Sequence, residues 1–173
     1  NNYNKELILK INPKASIITS FHPIYEIPYM DNSNNSYKVD LNIKTEKTIL
    51  FFGLIREYKG LDLLINAIAL SRNKIKDLKV LVVGENYESL EKYHNMIRAN
   101  NMEDSFIFIN NFVDKDDIKK YFLSSELVVL PYKSASQSGV LSLAYNFNRP
   151  VITTDVGGLS DYVSDKKSGF IVE

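Results

Sequence analysis

A loop of small residues from Ser134 to Gly139 holds the first group of residues that could bind a ligand. Ser138 and Gly139 have little side-chain bulk, and the residues after them have helical periodicity. Free backbone N–H groups at the start of such a helix form an anion-binding site. The alternative is a plain connector whose serines only cap the helix. No carboxylate occurs between Glu126 and Asp155, so acids of this segment do not hold the ligand.

A second group follows an apolar run at residues 48–52 that ends at Gly53. Arg56 and Lys59 lie in the turn after it. Arginine offers a planar fork and lysine a point charge, a pair suited to a diphosphate. The turn lacks the glycines of a Walker A loop or a dinucleotide fingerprint. On the residues alone, the favoured alternative is two solvated loop charges offset by the glutamate between them.

Alternating strands and helices must position these two loops. Short apolar runs closed by glycine or proline are typical of strands buried on both faces. Runs closed in this way occur at residues 48–52, 79–83 and 127–130, and further short apolar runs occur at 106–109, 151–153 and 169–172. The alternation predicts an α/β fold with a Rossmann-like, doubly wound parallel sheet. Loops at the carboxyl ends of its strands are where such sheets bind ligands.

The helix after the small-residue loop is predicted to bury one face. Val140, Leu143, Ala144 and Phe147 have the i, i+3, i+4, i+7 spacing of a core-facing stripe. We therefore expect all four side chains to lie in the hydrophobic core.

Composition excludes several classes of function. The 173 residues are 45% hydrophobic and contain 21 basic and 21 acidic residues, so net charge gives no support to nucleic-acid binding. The absence of cysteine excludes disulfides and a thiol nucleophile, and two histidines make a histidine-rich metal site improbable. No apolar run approaches transmembrane length, and no signal peptide opens the chain, so a cytoplasmic domain is expected.

Two regions are predicted along the chain. Residues 1–47 form a lead-in with a helix at 4–11, a strand at 15–19 and a polar linker at 30–47. Residues 48–173 form the Rossmann-like domain. His22, beside a proline and aromatic residues, is interpreted as a packing residue and not as a base.

Four segments resemble, in order and spacing, the retaining glycosyltransferases of family 4, and specifically the C-terminal, donor-binding half of their GT-B fold. These segments read FFGLIREYKGLDLLINAI, VLVVG, FINNFVDKDDIKKYFLSSELVVLPY and SQSGVLSLAYNFNRPVITTDVGGLSDYV. The likeness covers about residues 48–173, and SFHPIYE resembles the segment that leads into this domain. The resemblance implies two Rossmann-like domains with a nucleotide-sugar between them, the present chain stopping before the family's C-terminal helices.

The resemblance also implies roles for individual residues. Gly53 lets the backbone approach the donor, and Arg56 and Lys59 bind its diphosphate. The family has its arginine directly after the glycine, where this chain has Leu54, so Arg56 is a substitute, whereas Lys59 matches. Backbone amides of Ser138, Gly139 and Val140 meet the phosphates. The turns that line the base contain Gly84, Asn86, Asn111, Phe112 and Val113. Gln137 either contacts the sugar or is solvated.

One departure from the family concerns two glutamates spaced E-x7-E, the second of which grips the ribose. Counting back from Pro150 places them at Ala135 and Leu143, whereas counting forward from Gly139 places them at Ser136 and Ala144. Neither pair contains an acid. Ribose recognition and the identity of the donor are therefore open.

The sequence thus predicts a hexosyltransferase domain that binds a nucleotide-sugar such as a UDP- or GDP-sugar. With a separate N-terminal domain it would transfer the sugar to a saccharide or lipid-linked acceptor in polysaccharide biosynthesis, at the inner face of the membrane, and it would be inactive alone. No cofactor, metal or catalytic nucleophile is implied. The alternatives are a GT-B-derived nucleotide-binding or scaffold domain without chemistry, and a nicotinamide dehydrogenase, for which no strand is followed by G-x-G-x-x-G.

Overall fold

The computed structural model describes residues 1–20, 34–45, 47–87, 89–164 and 166–173. Its centre is a six-stranded sheet whose strands are β1 Thr48–Phe52, β2 Lys79–Val83, β3 Phe106–Ile109, β4 Leu127–Leu130, β5 Val151–Thr154 and β6 Gly169–Val172. The sheet is fully parallel and has the strand order β3-β2-β1-β4-β5-β6. The predicted doubly wound, Rossmann-like α/β fold is confirmed.

Helices cover both faces of the sheet. Those of the described residues are α1 Asn2–Ile11, α2 Asn34–Asp40, α3 Leu61–Ser71, α4 Glu91–Ala99, α5 Ile118–Leu123 and α6 Gly139–Asn146. Three short 3-10 turns add Glu57–Lys59, Glu103–Ser105 and Ser160–Tyr162. The sheet is therefore the middle layer of three.

Continuous apolar strands place side chains in two separate cores. In β1, Leu50 and Phe52 pack with α5 and α6 on one face, whereas Phe51 packs with α3 and α4 on the other. Successive side chains of a strand point to opposite faces, so both faces of β1 need apolar residues. Burial of this kind stabilises the fold by roughly 1.5–3 kcal/mol for each large side chain.

The order of the strands creates a switch point between β1 and β4. The chain winds outward from β1 through β2 to β3, then returns to β4 on the other side of β1. Loops after β1 and β4 therefore leave neighbouring strand ends in opposite directions and open a crevice, the usual ligand site of such sheets.

Two predictions about the lead-in are wrong. Residues 15–19 form no strand, because none of the described strands pairs with them, and the side chain of Ile18 is 95% exposed. The predicted linker at 30–47 contains α2, which packs against α5. Lys38 of α2 is buried and its ammonium lies 2.5 Å from Glu126 Oε1, an ion pair that sequence polarity does not reveal. His22 and residues 30–33 lie outside the described residues.

Gly60 makes the closest approach between the loop after β1 and the end of β4. It has a φ of +71°, and a Cβ at this position would lie 1.8 Å from the carbonyl oxygen of Pro131. Only glycine fits both the left-handed backbone and this contact.

None of the described helices is long and apolar enough to span a bilayer.

We predict that Gly60→Ala lowers the free energy of unfolding by at least about 2 kcal/mol, because it adds a backbone clash to a strained φ. Asn148→Ala is the matched control, since Asn148 has a φ of 54° and already carries a Cβ. That control should lose only about 1 kcal/mol. Urea unfolding would measure both, and equal losses would contradict the close approach.

Candidate functional site

Lys59 lies at the end of the 3-10 turn that follows β1, where most of its side chain is buried and the residue lines a cavity. The residue is 8% exposed, and its Nζ lies 5.5 Å from the centre of the Tyr132 ring. Burial lowers the pKa of Lys59 from 10.5 to about 8. Among the described residues, no carboxylate or carbonyl oxygen bonds to this ammonium. A buried cation without an anion is unfavourable, and such groups are concentrated at functional sites.

The turn that carries Lys59 is fixed against the end of β4. The Lys133 N–H donates to the carbonyl oxygen of Tyr58 at 2.7 Å, and the Lys133 ammonium lies 2.7 Å from Asp62 Oδ2 at the start of α3. Together with the contact of Gly60 and Pro131, these bonds join β1, α3 and β4. The position of Lys59 is therefore set by the fold and not by a mobile loop.

The small-residue loop and the start of α6 form the opposite wall of a cavity of about 400 Å³. The lining residues are Tyr58, Lys59, Tyr132, Ala135, Ser136, Gln137, Ser138, Gly139, Val140 and Leu143. Ser138 is the N-cap residue of α6, yet its side chain makes no capping hydrogen bond. Its hydroxyl lies 3.3 Å from the Tyr132 hydroxyl instead. The loop is thus not a connector capped by Ser138, and a ligand can bind the free N–H groups of the helix.

Tyr132 forms the floor between the two walls. Burial raises the pKa of its phenol to about 12, so the hydroxyl stays neutral and keeps its proton. The Thr154 hydroxyl donates to the carbonyl oxygen of Tyr132 at 2.5 Å and holds it at the end of β4. The cavity therefore offers an ammonium, a neutral hydroxyl and backbone N–H groups. All of these bind an anion.

A second cleft of about 160 Å³ lies beside the first, at the ends of β1 and β2. It is lined by Phe52, Gly53, Leu54, Gly84, Glu85, Phe112 and Val113. Gly53 joins the two spaces, because a Cβ there would lie 2.9 Å from Lys59 Nζ and 3.5 Å from Val140 Cγ2. A Cβ on Gly84 would lie 2.2 Å from the carbonyl oxygen of Gly53. Gly84 is therefore needed for the close passage of the two strand ends, whereas Gly53 is favoured by its φ of +97°.

Most residues predicted for the site are brought together. Gly53, Lys59, Gln137, Ser138, Gly139 and Val140 surround the first cavity, and Gly84, Phe112 and Val113 surround the second. Asn86 pairs with Ile55 through the backbone, and the Asn111 amide donates to the carbonyl oxygen of Phe112 at 2.8 Å. Neither asparagine lines the cleft.

Arg56 lies apart from Lys59. Its guanidinium carbon lies 4.8 Å from the centre of the Tyr87 ring, and it does not line the cavity that holds the ammonium. The structure therefore does not assemble Arg56 and Lys59 into one pair. The predicted role of Arg56 in binding a diphosphate stays a prediction.

The prediction of the buried face of α6 is half right. Ala144 and Phe147 are buried, but Val140 and Leu143 are only half-buried and line the cavity. Helix α6 begins at Gly139, and its first residues line the cavity that Lys59 also lines. The apolar stripe predicted from the i, i+3, i+4, i+7 spacing therefore lies partly in the cavity and partly in the core. Of the two glutamate registers, Ala135 and Leu143 share the cavity, whereas Ala144 lies in the core. None of the residues lining the cavity is acidic.

Sequence reasoning missed Tyr132, Tyr58 and Glu85 as lining residues. Position in the chain could have identified two of them, since Tyr132 and Glu85 each come two residues after the end of a strand. In the described part of the chain, no group of three His, Cys, Asp or Glu side chains could hold a metal ion.

We predict that Lys59→Met raises the free energy of unfolding by roughly 1–3 kcal/mol at pH 7, because it removes a desolvated charge. The folded pKa of about 8 is below the unfolded value, so the penalty is complete below pH 8 and disappears as the pH rises toward 10.5. Urea unfolding of both proteins at pH 7 and pH 10 would measure the difference. Lys115→Met, at an exposed position, should change stability by less than about 0.5 kcal/mol. A destabilised Lys59→Met protein would contradict the argument.

Comparison with known proteins identifies the family. The sequence model of the family described as Glycosyl transferases group 1 matches residues 33–173. The chain is 30% identical over 128 residues to an uncharacterized glycosyltransferase of Haemophilus influenzae, covering 73% of this chain and 35% of that protein. It is 29% identical over 151 residues to the D-inositol 3-phosphate glycosyltransferase of Jonesia denitrificans, covering 84% and 36%. The chain thus spans about a third of the length of the curated relatives that it matches.

Solved structures agree on the fold. The C-terminal domain of a glycosyl transferase group 1 family protein from Francisella tularensis superposes with a TM-score of 0.70 at 22% identity, over 87% of this chain and 77% of that one. Anabaena HepE, solved with UDP and glucose, gives a TM-score of 0.72 at 20% identity, over 83% and 39%. The chain therefore belongs to the Glycosyl transferases group 1 family and has the fold of a GT-B C-terminal domain.

Proposed function

We propose that this chain is the donor-binding domain of a retaining, family 4 hexosyltransferase. The observation that carries the proposal is that Lys59 is mostly buried, has no anionic partner among the described residues, and shares one cavity with the start of α6. A diphosphate between them would supply the anion that Lys59 lacks and the acceptors that the N–H groups of α6 lack. One diphosphate would thus provide both the anion for Lys59 and the acceptors for the N–H groups of α6.

The two cavities accommodate the parts of a nucleotide-sugar in order. A diphosphate beside Lys59 and Gly139 places the nucleoside on the Gly53 side, where the second cleft begins. The base then lies near Gly84, Phe112 and Val113, and the sugar lies toward Gln137. HepE was solved with UDP and glucose, a nucleotide and a sugar of the proposed classes.

Electrostatic stabilisation of the leaving group is the chemistry that these residues can supply. When the glycosidic bond of the donor breaks, negative charge grows on the departing diphosphate. A preorganised ammonium and oriented backbone N–H groups stabilise that charge more in the transition state than in the ground state. The neutral Tyr132 hydroxyl adds a third donor.

Transfer requires an acceptor site, which we assign to an N-terminal domain of the same protein. The aligned segments cover only 35% and 36% of two relatives, one of which is named as a D-inositol 3-phosphate glycosyltransferase. We propose a saccharide or lipid-linked acceptor, used in polysaccharide biosynthesis at the cytoplasmic face of the membrane. The domain alone would bind the donor and not transfer the sugar.

One observation favours a second candidate function, a nucleotide-binding domain without chemistry. Ala135 and Leu143 stand in the cavity where the resemblance implies two glutamates. Slow hydrolysis of a bound nucleotide-sugar by the protein together with its N-terminal domain would support transfer. Binding without any turnover would support the second candidate.

We predict that the chain binds nucleoside diphosphates, that it binds the corresponding nucleosides far more weakly, and that Lys59→Met weakens diphosphate binding at least about tenfold. Titration calorimetry would measure each affinity. In the same assay, Ser138→Ala should change affinity by less than about threefold, because the backbone and not the hydroxyl meets the phosphate. Gly139→Val should weaken binding more than about tenfold, because it adds bulk at the helix start.

Melting temperatures would show whether the Gly139→Val protein is folded. Wild-type affinity in both the Lys59→Met and Gly139→Val proteins would contradict the proposed function. Equal affinity for nucleoside and nucleoside diphosphate would do the same.

A further inference from the structure

In the cleft beside the diphosphate cavity, the charged residue among those described as lining it is an acid. Six of its seven lining residues are apolar or glycine, and the seventh is Glu85. The Glu85 carbonyl oxygen accepts a hydrogen bond from the Ile55 N–H at 2.8 Å, which fixes its backbone at the end of β2. Its carboxylate accepts a hydrogen bond from the Tyr87 hydroxyl at 3.2 Å. The backbone of Glu85 is therefore held at the cleft, and among the described residues its carboxylate accepts this one hydrogen bond out of about four that a carboxylate can accept.

The apolar residues of the cleft suit a flat heterocycle. Phe112 is 67% exposed and Leu54 is 42% exposed, although both are large and apolar. Exposed aromatic and aliphatic side chains beside a glycine-lined cleft provide a surface on which a base can stack. The base would then lie between these side chains with one edge toward Glu85.

Arg56 and Tyr87 support Glu85 from outside the cleft. The Arg56 guanidinium lies 4.8 Å from the centre of the Tyr87 ring, and the hydroxyl of that ring bonds to Glu85. An arginine over an aromatic face is a favourable contact. The contact links Arg56 to the ring whose hydroxyl bonds to Glu85.

A carboxylate discriminates among nucleobases because it only accepts hydrogen bonds. Guanine presents two adjacent donors, N1–H and the N2 amino group, which match the two oxygens of one carboxylate. Adenine and cytosine present an amino group next to a ring acceptor. Uracil presents one N–H between two carbonyl oxygens, which a carboxylate repels. A site built to accept hydrogen bonds rejects a base that lacks the donors.

We infer that Glu85 selects a guanine nucleotide, so that the donor is a GDP-sugar. This inference rests on the proposed function and names the class of its substrate. HepE was solved with UDP, but at 20% identity that likeness shows the fold and not the base. The chemistry of the cleft therefore decides between the two nucleotides.

Titration calorimetry with GDP, UDP, CDP and ADP tests the inference on the wild-type chain, Glu85→Gln and Glu103→Gln. GDP should bind at least about tenfold more tightly than UDP, the difference expected when charged hydrogen bonds are gained by one ligand only. Glu85→Gln exchanges one acceptor oxygen for a donor, so it should reduce this ratio to below about threefold. Glu103→Gln, at the opposite ends of the strands, should keep the wild-type ratio.

Tighter or equal binding of UDP, CDP or ADP by the wild-type chain would overturn the assignment of guanine and leave the proposed function standing. A GDP:UDP ratio that Glu85→Gln does not change would overturn the role of Glu85. Failure of all four nucleotides to bind would overturn this inference and the proposed function together.

Discussion

The arrangement of this domain depends on one unfavourable interaction, the burial of the Lys59 side chain with no anion beside it in the described part of the chain. Its desolvation penalises folding at neutral pH, because burial lowers the pKa of Lys59 from 10.5 to about 8. The fold tolerates the penalty because two apolar cores lie on either side of the sheet. A ligand that carries two phosphates would supply an anion beside the Lys59 ammonium. Binding would then remove the desolvation penalty and stabilise the folded protein.

The position of Lys59 follows from the parallel sheet. The switch point between β1 and β4 opens the crevice, and Gly60 brings the loop after β1 against Pro131 at the end of β4. Gly84 then allows the ends of β1 and β2 to pass closely, and Gly53 lies between the two cavities with a φ of +97°. The site thus forms where backbone segments lie so close together that a Cβ on Gly60 or Gly84 would clash with the neighbouring segment. Its glycines are as necessary as its charged residues.

The sheet could be predicted from the sequence because strands buried on both faces are continuous apolar runs with sharp ends. The strand predicted at 15–19 was wrong because an apolar run is a strand only where another strand pairs with it. Helix α2 was missed because its attachment combines packing of Tyr37 on the core with an ion pair between Lys38 and Glu126, which are distant in sequence. In the site, Lys59 and the small-residue loop were predicted from residue type. The cavity positions of Leu143 and Glu85 were not, since they depend on where α6 begins and on how β2 ends.

The most direct test of this account is the number of protons that Lys59 takes up when a nucleoside diphosphate binds. At pH 8 about half of Lys59 is unprotonated, while a phosphate with a second pKa of about 6 is already ionised. Titration calorimetry in buffers of different ionisation enthalpy counts the protons, and Lys59→Met isolates the share of this residue. We expect the wild-type protein to take up about half a proton per nucleotide at pH 8 and much less at pH 6.5. The Lys59→Met protein should lack this uptake. Binding with the same proton count in the wild-type and Lys59→Met proteins would show that the diphosphate does not bind at Lys59.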